Sequence, residues 1–183
     1  MVEFKHEGDR YVVTVVHECR APSEAVYDLL ADLKSHLEWG GRRHPRTSQR
    51  MISIEAPDGP ATAGVEFESI GATSGRPWHD RSKVTVAVRP SVFEFATEGW
   101  LENPENGPIE AAWVHRYEIK PSGEGCTVSY RGVRTSFSGS LSKLPHIVHP
   151  ELFYNIVVPS VVERGVANLV QLAEERSGLS EVV

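Results

Sequence analysis

Residues 13–39 read VTVVHECRAPSEAVYDLLADLKSHLEW, and this stretch decides how the fold begins. Its first part alternates imperfectly and is rich in β-branched residues, a pattern typical of a strand, which we place at residues 10–19. The side that carries Arg10, Thr14 and Glu18 is polar, so the other side is predicted to face the core. That inward side carries Tyr11, Val13, Val15, His17 and Cys19.

The second part of the same stretch predicts a helix. Pro22 and Ser23 supply a turn and a helix cap, and apolar residues then recur at helical spacing over residues 23–33. A second short helical turn is expected at residues 35–39 and ends at Gly40. The buried stripe of the first helix is predicted to consist of Val26, Leu29, Leu30 and Leu33.

The central part of the chain shows β-rich segments separated by Gly, Pro, Asn and Asp, without a long helical period. Short turns such as PDGP at residues 57–60 join these segments, and short connections favour antiparallel neighbours. Together with the first strand, these segments predict seven strands. We place the further strands at residues 49–55, 64–71, 81–88, 92–97, 111–120 and 126–137.

The C-terminal part of the chain predicts one long amphipathic helix. Residues 138–150 have the composition of a loop, and a helical pattern then follows Pro150 towards Gly178, with Pro159 either starting or kinking it. Such a helix must bury its apolar stripe, and the predicted sheet is the surface that can cover it. We therefore expect a single α+β domain over residues 1–183. The stripe consists of Val162, Val166, Leu169 and Ala173.

The composition excludes several classes of protein. The 183 residues are 40% hydrophobic and 24% charged, as in globular proteins, and no apolar run approaches the roughly 18 residues of a membrane span. A net charge of -6 argues against general binding to nucleic acid. The N-terminus has no signal-peptide pattern, so we expect a cytoplasmic protein. Cys19 and Cys126 cannot form a zinc site alone, and a disulfide between them is not expected in that compartment.

The predicted order of elements resembles the helix-grip fold of the SRPBCC superfamily, which includes START-like and Bet v 1-like proteins. Residues 13–39 are similar to the opening of bacterial polyketide cyclase/dehydrase and lipid-transport-like proteins. Two later segments also resemble these proteins: HRYEIKPSGEGCTVSY (115–130) resembles their penultimate hairpin, and NLVQLAEE (168–175) resembles their closing segment. The resemblance implies an α+β fold: a curved, seven-stranded antiparallel sheet around the C-terminal helix, with two short helices between strands one and two. It implies no single function, because the superfamily includes cyclases, hydrophobic-ligand carriers, hormone receptors and stress proteins.

Proteins of this fold commonly keep a cavity between sheet and helix, and cavities that bind small molecules are apolar with a few polar groups. Alternation along each strand identifies the side chains that face this cavity, for example Val84, Val86 and Val88. Trp113 is expected to be the most buried tryptophan, because alternation fixes its direction. Each such residue can also be ordinary core. The predicted ligand-binding residues are Val15, Phe67, Val86, Phe93, Phe95, Trp113, Val128, Val162, Val166 and Leu169.

Four inward-facing polar residues are candidates for catalysis: His17, His115, Tyr117 and Tyr130. In the helix-grip order the first strand pairs with the last, and the last with the sixth, so His17, Tyr130 and His115 are expected on three neighbouring strands. A neutral histidine and a tyrosine can polarise a carbonyl group and move a proton, as an aldol-type cyclisation or a dehydration requires. The alternative is a structural hydrogen bond within the sheet.

The usual signatures of hydrolases and nucleotide-dependent enzymes do not occur. The sequence contains no Gly-x-Ser-x-Gly, Gly-x-Gly-x-x-Gly, P-loop or His-Glu-x-x-His motif. His146 and His149 are three positions apart, but Pro145 and Pro150 flank them, and no acidic or cysteine ligand accompanies them. We therefore predict neither a metal nor a cofactor.

A basic segment stands out in this acidic chain. RRHPRTSQR at residues 42–50 contains Arg42, Arg43, Arg46 and Arg50. A solvated loop is the simpler interpretation. The alternative is that the guanidinium groups dock an anion, such as the phosphate of a pantetheine-carried substrate or an acidic carrier protein.

These features favour a protein that binds a hydrophobic, lipid- or polyketide-like small molecule between the sheet and the C-terminal helix. The alternative is a polyketide cyclase/dehydrase-type enzyme whose inward histidines and tyrosines perform acid-base chemistry. Binding is slightly favoured, because no nucleophile and no acid-base pair occurs at a diagnostic spacing. A protein-interaction module of the same fold is disfavoured by the net charge of -6 and the apolar lining. The ligand and the oligomeric state stay open at this point.

Overall fold

The structure is a computed structural model that describes residues 1–7, 10–45, 49–73, 75–102, 107–138 and 156–179. Arg46, His146, His149 and the beginning of the helical pattern predicted after Pro150 lie outside these ranges, as does the predicted loop beyond Ser138. The strands are β1 (Val2–Glu7), β2 (Arg10–Cys19), β3 (Arg50–Glu55), β4 (Glu66–Thr73), β5 (Arg76–Val88), β6 (Val92–Leu101), β7 (Ile109–Ser122) and β8 (Gly125–Ser138). The helical segments are α1 (Ser23–Ala31), a 3₁₀ turn (Leu33–Ser35), a π-helical turn (Glu38–Arg42) and α2 (Val158–Arg176).

The strands form one curved antiparallel sheet in the order β1-β2-β8-β7-β6-β5-β4-β3. β2 pairs with β8, so a strand near the start of the chain lies beside the last strand. Helix α2 packs mainly on β2, on α1 and on the π-helical turn. This is the α+β order that the family resemblance implied, with eight strands in the described ranges in place of the expected seven.

The extra strand, β1, lies at one edge of the sheet and pairs with β2. Its sequence is VEFKHE, and most of its side chains are exposed. Val2 packs against the core, whereas the rest of the strand has a neighbour on one side and little cover. The prediction of seven strands is therefore wrong at the N-terminus, where burial is too slight to produce a clear apolar pattern.

A β-bulge in β5 changes which of its residues face the core. Val84 faces inward, but the register shifts after it, and Ala87 rather than Val86 pairs with the inward Phe93. Ala87 packs against the core, while Val88 is 53% exposed. The predicted inward direction of Val86 and Val88 is therefore wrong, because one extra residue reverses the alternation.

Helix α2 buries the stripe that its sequence predicts. Val166, Leu169 and Ala173 have almost no exposed surface, and Val162 packs against the same core. Pro159 lies in the first turn, where a proline costs no helical hydrogen bond. It therefore begins the helix and does not kink it.

Ion pairs connect the C-terminal end of α2 to the π-helical turn and to Arg43 after it. Arg43 donates to both carboxylate oxygens of Glu175, at 3.0 and 2.5 Å, and also lies 3.4 Å from Glu38. Arg176 donates to the second oxygen of Glu38 at 3.1 Å. Single ion pairs near the surface contribute little to stability, but this shared network fixes the position of the helix end.

Replacing Leu169 by alanine should destabilise the protein by about 3 kcal/mol, because a fully buried leucine leaves a cavity beneath α2. The exposed Gln171→Ala change on the same helix should cost less than about 0.5 kcal/mol. Urea unfolding measures both values. Equal stabilities of the two variants would contradict the packing of α2 on the sheet through Leu169.

Candidate functional site

The concave face of the sheet, which faces α2, carries aromatic side chains in rows across the strands. Register defines each row, because residues paired on neighbouring strands point to the same side. One row contains Phe95, His115 and Gly132, and the next contains Tyr117 and Tyr130. The His115 ring stacks on Phe95 with 4.7 Å between centroids, and the rings of Tyr117 and Tyr130 lie 4.9 Å apart.

His115 and Tyr130 form a hydrogen-bonded pair within this face. His115 Nδ1 lies 2.8 Å from the hydroxyl oxygen of Tyr130. Gly132 allows the contact, because a side chain at that position would collide with the Tyr130 hydroxyl. The tyrosine leans across the glycine towards the histidine on the next strand. The structure thus joins two of the four residues predicted as catalytic candidates.

Burial sets the protonation states of this pair. Removal from water lowers the pKa of His115 to about 4, and the nearby His36 adds to this shift. Burial raises the pKa of both Tyr117 and Tyr130. At neutral pH the imidazole is therefore uncharged and both phenols keep their protons. The pair can orient or polarise a carbonyl group through neutral hydrogen bonds, but neither member is a strong base.

His36 is a buried residue beside this pair that the sequence analysis did not select. It follows the 3₁₀ turn, and its Nε2 lies 2.8 Å from the carbonyl oxygen of Leu30. Its ring centroid lies 4.6 Å from that of Trp39 and 6.1 Å from that of Phe95. Burial lowers its pKa to about 4. A turn this short has no periodicity that would fix the direction of a side chain, so the sequence offers no signal for it.

The tryptophans differ from the expected order of burial. Trp39 and Trp78 are 6% and 8% exposed, whereas Trp113 is half-buried, so the prediction that Trp113 is the most buried is wrong. Trp113 lies on the inward side of β7, where the described side chains cover it only in part. Trp39 belongs to the π-helical turn, which packs against both α2 and β3.

His17 faces the same side of the sheet but lies apart from the His115–Tyr130 pair. It pairs with Val128, whereas Tyr130 pairs with Val15. The row of His115 is four residues away along the strands, or roughly 13 Å. Burial lowers the pKa of His17, and its Nε2 is buried without a hydrogen-bond partner among the described residues. His17, Tyr130 and His115 therefore lie on three neighbouring strands, as expected, but His17 is not in contact range of the other two.

Apolar side chains surround the pair on the concave face. Trp113 and His115 keep part of their surface accessible although both point towards the interior. The described side chains therefore leave room in front of β7. Val86 does not lie on this face, because the bulge in β5 turns its side chain outward. The other predicted lining residues in the core are Val15, Phe67, Phe93, Phe95 and Val128 from the sheet, with Val166 and Leu169 from α2 and Val162 half-buried beside them.

The basic segment is divided between an internal contact and the surface. Arg43 is engaged by Glu175 and Glu38, so its guanidinium group is part of the attachment of α2. Arg42 is exposed, and Arg50 is half-buried at the start of β3. Among the three described arginines of the predicted docking segment, Arg42 is the most accessible to an anion.

The described ranges carry neither a metal-binding cluster nor a membrane-spanning helix. No group of three or more His, Cys, Asp or Glu side chains there could hold a metal ion. No helix in those ranges is long and apolar enough to cross a membrane.

Cys19 and Cys126 lie opposite each other on β2 and β8 as buried free thiols. Burial raises the pKa of both, which makes them weak nucleophiles at neutral pH.

A second concavity lies on the outer face of the sheet. It is an open groove of about 800 Å³ that crosses β4 to β7. Small side chains such as Ala96 and Ala112 form its floor, and ion-paired residues such as Lys83 and Glu66, 3.0 Å apart, form a wall. Alternation places these residues on the side opposite to His115. An open groove with charged walls suits an apolar ligand less well than the concave face does.

The lowered pKa of His115 predicts a loss of stability in acid. A group whose pKa falls on folding contributes stability that is complete above its ordinary value of 6.5 and is lost as the pH falls towards 4. The wild-type protein should therefore lose unfolding free energy between about pH 7 and about pH 4.5. In His115→Gln this loss should be smaller by on the order of 2 kcal/mol. Urea unfolding at both pH values measures this, with the exposed His6→Gln as control. An unchanged pH dependence would contradict the neutral state of the half-buried His115.

Comparisons with known proteins agree with this architecture. The sequence matches the model of the family described as polyketide cyclase / dehydrase and lipid transport over residues 10–174. A search of the curated proteins found no match.

Solved structures share the fold across most of the chain. An uncharacterised protein from Rhizobium leguminosarum has a TM-score of 0.65 at 14% identity, with 96% of this chain and 99% of that chain covered. The di-domain ARO/CYC StfQ from the steffimycin biosynthetic pathway has a TM-score of 0.64 at 14% identity, with 92% and 52% covered. Ara h 8.0201 has a TM-score of 0.57 at 11% identity, with 91% and 99% covered. At these identities the likeness shows the fold alone.

The family match runs from β2 to the last turns of α2 and so includes the strands that carry His115 and Tyr130. The chain therefore belongs to the polyketide cyclase / dehydrase and lipid transport family.

Proposed function

We propose that the protein binds a hydrophobic, lipid- or polyketide-like small molecule between the concave face of the sheet and α2. The observation that carries this proposal is the His115–Tyr130 pair, a neutral polar contact within an otherwise aromatic and aliphatic face. Sites for small molecules combine an apolar lining with a few polar groups in this way. Trp113, on the same strand as His115, keeps accessible surface on that side.

A donor beside the pair supports the same proposal. The indole N–H of Trp39 is buried without a hydrogen-bond partner among the described residues, and the Trp39 ring lies 6.3 Å from that of Tyr117. A buried donor without an acceptor costs free energy. An oxygen atom of a bound ligand would remove that cost.

Catalysis is the second candidate function, and the same pair favours it. An uncharged imidazole and a phenol can polarise a substrate carbonyl group, as a cyclisation or dehydration requires. The family description covers cyclases and dehydrases as well as lipid transport. Binding remains the first choice, because the pKa shifts of His115 and Tyr130 leave neither group ready to exchange a proton at neutral pH.

An acidic carrier protein is a further proposed partner, and a cytoplasmic location is also proposed. Arg42 is exposed for such a contact. Attraction between exposed charges extends over roughly 30 Å at about 10 mM salt but only about 8 Å at about 150 mM. Carrier binding should therefore weaken as salt is added, whereas binding of a neutral hydrophobic ligand should not.

The proposal predicts that the neutral hydrophobic fluorophore N-phenyl-1-naphthylamine binds on the concave face. Changing Val162 of α2 to tryptophan should weaken this binding at least about tenfold, because the larger side chain occupies the space between helix and sheet. A tryptophan at Ala112, in the outer groove, should leave the affinity within about twofold. Fluorescence titration measures both affinities, and thermal unfolding verifies that both variants fold.

Loss of binding in Ala112→Trp alone would place the ligand in the outer groove. If the wild-type protein bound neither this fluorophore nor any member of a panel of fatty acids and aromatic polyketides, the proposal would be overturned.

A further inference from the structure

Asp80 lies on the concave side of β5. It pairs with Ser69 of β4 and with Gly99 of β6. Ser69 is buried, and so is Ser82, two residues further along β5, so this side of the strand faces the interior. The neighbouring Arg81 is exposed on the outer side. Asp80 is thus an acidic residue on an inner wall made of apolar and hydroxyl side chains.

The strand beside Asp80 leaves space for its carboxyl group. A side chain at Gly99 would collide with Oδ1 of Asp80, so the carboxyl group leans across the glycine. The next residue in this row, on β7, is Ala111. The two positions in front of the carboxyl group therefore carry small side chains, and the described side chains of β6 and β7 leave space there.

No hydrogen bond or ion pair joins the Asp80 carboxyl group to another residue of the described chain. The nearest hydroxyl groups of the next row, those of Ser82 and Thr97, bond to each other at 2.8 Å. Burial raises the pKa of Asp80 to about 7. Asp80 is half-buried, and a carboxyl group largely removed from water without a partner is one whose missing contact a ligand can supply.

The strands packed against β5 present no other ionisable group to Asp80 in the described structure. The inward ionisable side chains further away include Arg76 on β5, His36 against Phe67 and Phe95, His115 on β7 and Arg134 on β8. Arg76 is four residues from Asp80, or roughly 13 Å along the strand. His115 is four residues beyond Ala111, or roughly 13 Å along the strand. Arg134 lies over the rings of Phe137 and Tyr11. The inward neighbours of Asp80 are Phe67, Ser69 and Gly71 on β4, Trp78 and Ser82 on β5, and Thr97 and Gly99 on β6.

We propose that Asp80 is a second polar anchor of the ligand site, and that its protonated carboxyl group donates a hydrogen bond to a carbonyl oxygen of the ligand. This inference rests on the proposed function, because it concerns the same face of the sheet. The backbone positions of Asp80 and His115 lie roughly 16 Å apart, four residues along and two strands across. Phe95, Thr97 and Trp113 lie between them. The ligand that fits is an elongated apolar molecule with oxygen atoms near both ends.

The protonation state of Asp80 decides its role as a donor. The carboxyl group holds its proton below about pH 7, and ionisation above that pH removes the donor. Binding through a ligand carbonyl oxygen should therefore weaken as the pH rises through the pKa of Asp80. A ligand cation would show the opposite dependence, because it binds the ionised carboxylate.

Prodan, 6-propionyl-2-(dimethylamino)naphthalene, tests this anchor because it carries one ketone, is uncharged, and emits at longer wavelength when the ketone accepts a hydrogen bond. N-phenyl-1-naphthylamine, which has no carbonyl group, is the matched control ligand. In Asp80→Leu, the affinity for Prodan should fall about three- to tenfold, the worth of one hydrogen bond, while the control ligand stays within about twofold.

Two further variants complete the test. Asp80→Asn keeps a donor, so it should retain Prodan binding and lose the weakening that the wild type shows between about pH 6 and about pH 8. Glu98→Gln, on the outer face next to Gly99, should behave as the wild type does. If Asp80→Leu does not fold, the pH dependence of Asp80→Asn against the wild type decides the question.

An unchanged Prodan affinity in Asp80→Leu, or an equal loss of both fluorophores, would overturn the anchor. The proposed function would survive that result as long as the control ligand still responds to Val162→Trp. Prodan binding that tightens as the pH rises would also overturn the anchor. Failure of both fluorophores to bind the wild-type protein would overturn the proposed function and the anchor together.

Discussion

The packing of α2 on the inner side of β2 is the contact on which the rest of the structure depends. Val166 and Leu169 bury the apolar stripe of the helix there, and the contacts of Arg43 hold its C-terminal end against the π-helical turn. Because the helix rests mainly on β2, α1 and that turn, the middle strands keep inward side chains with accessible surface. The candidate site is the part of the concave face that the described residues leave uncovered, so the position of the helix determines the site.

Burial, rather than charge, sets the chemistry of the inner face. It lowers the pKa of His115 and raises the pKa of Tyr130 and Asp80, so each shift favours the uncharged form. Charged residues such as Lys83 and Glu66 pair on the outer face instead. A ligand on the concave side would therefore be recognised mainly by its shape and by neutral hydrogen bonds.

The fold and the inward direction of most strand residues follow from local patterns. Alternation suffices to place His115, Tyr117 and Tyr130 on one face, and helical periodicity suffices to select the stripe of α2, because both patterns record burial on one side. The presence of strand β1 and the outward direction of Val86 do not follow from local patterns. An edge strand buries too little to leave a pattern, and a bulge inserts one residue that resembles its neighbours.

The contacts that make the site specific depend on register, which a local pattern does not contain. Gly132 admits the Tyr130 hydroxyl on its own strand, but that hydroxyl meets His115 only because β7 and β8 pair at His115 and Gly132. Gly99 admits the Asp80 carboxyl only because β5 and β6 pair at those two residues. His36 lies in a short turn whose direction is set by the packing of Trp39 and Phe95 around it. Sequence alone therefore identifies the inner face but not the pairs of groups that meet on it.

The central claim is that a hydrophobic ligand lies on the concave side of the sheet, and nuclear Overhauser effects between N-phenyl-1-naphthylamine and assigned side chains test it most directly. We expect contacts from the ligand to Trp113 and His115 on the sheet and to Val162 on α2. Contacts confined to Ala96, Ala112 and Val114, which line the outer groove, would contradict it.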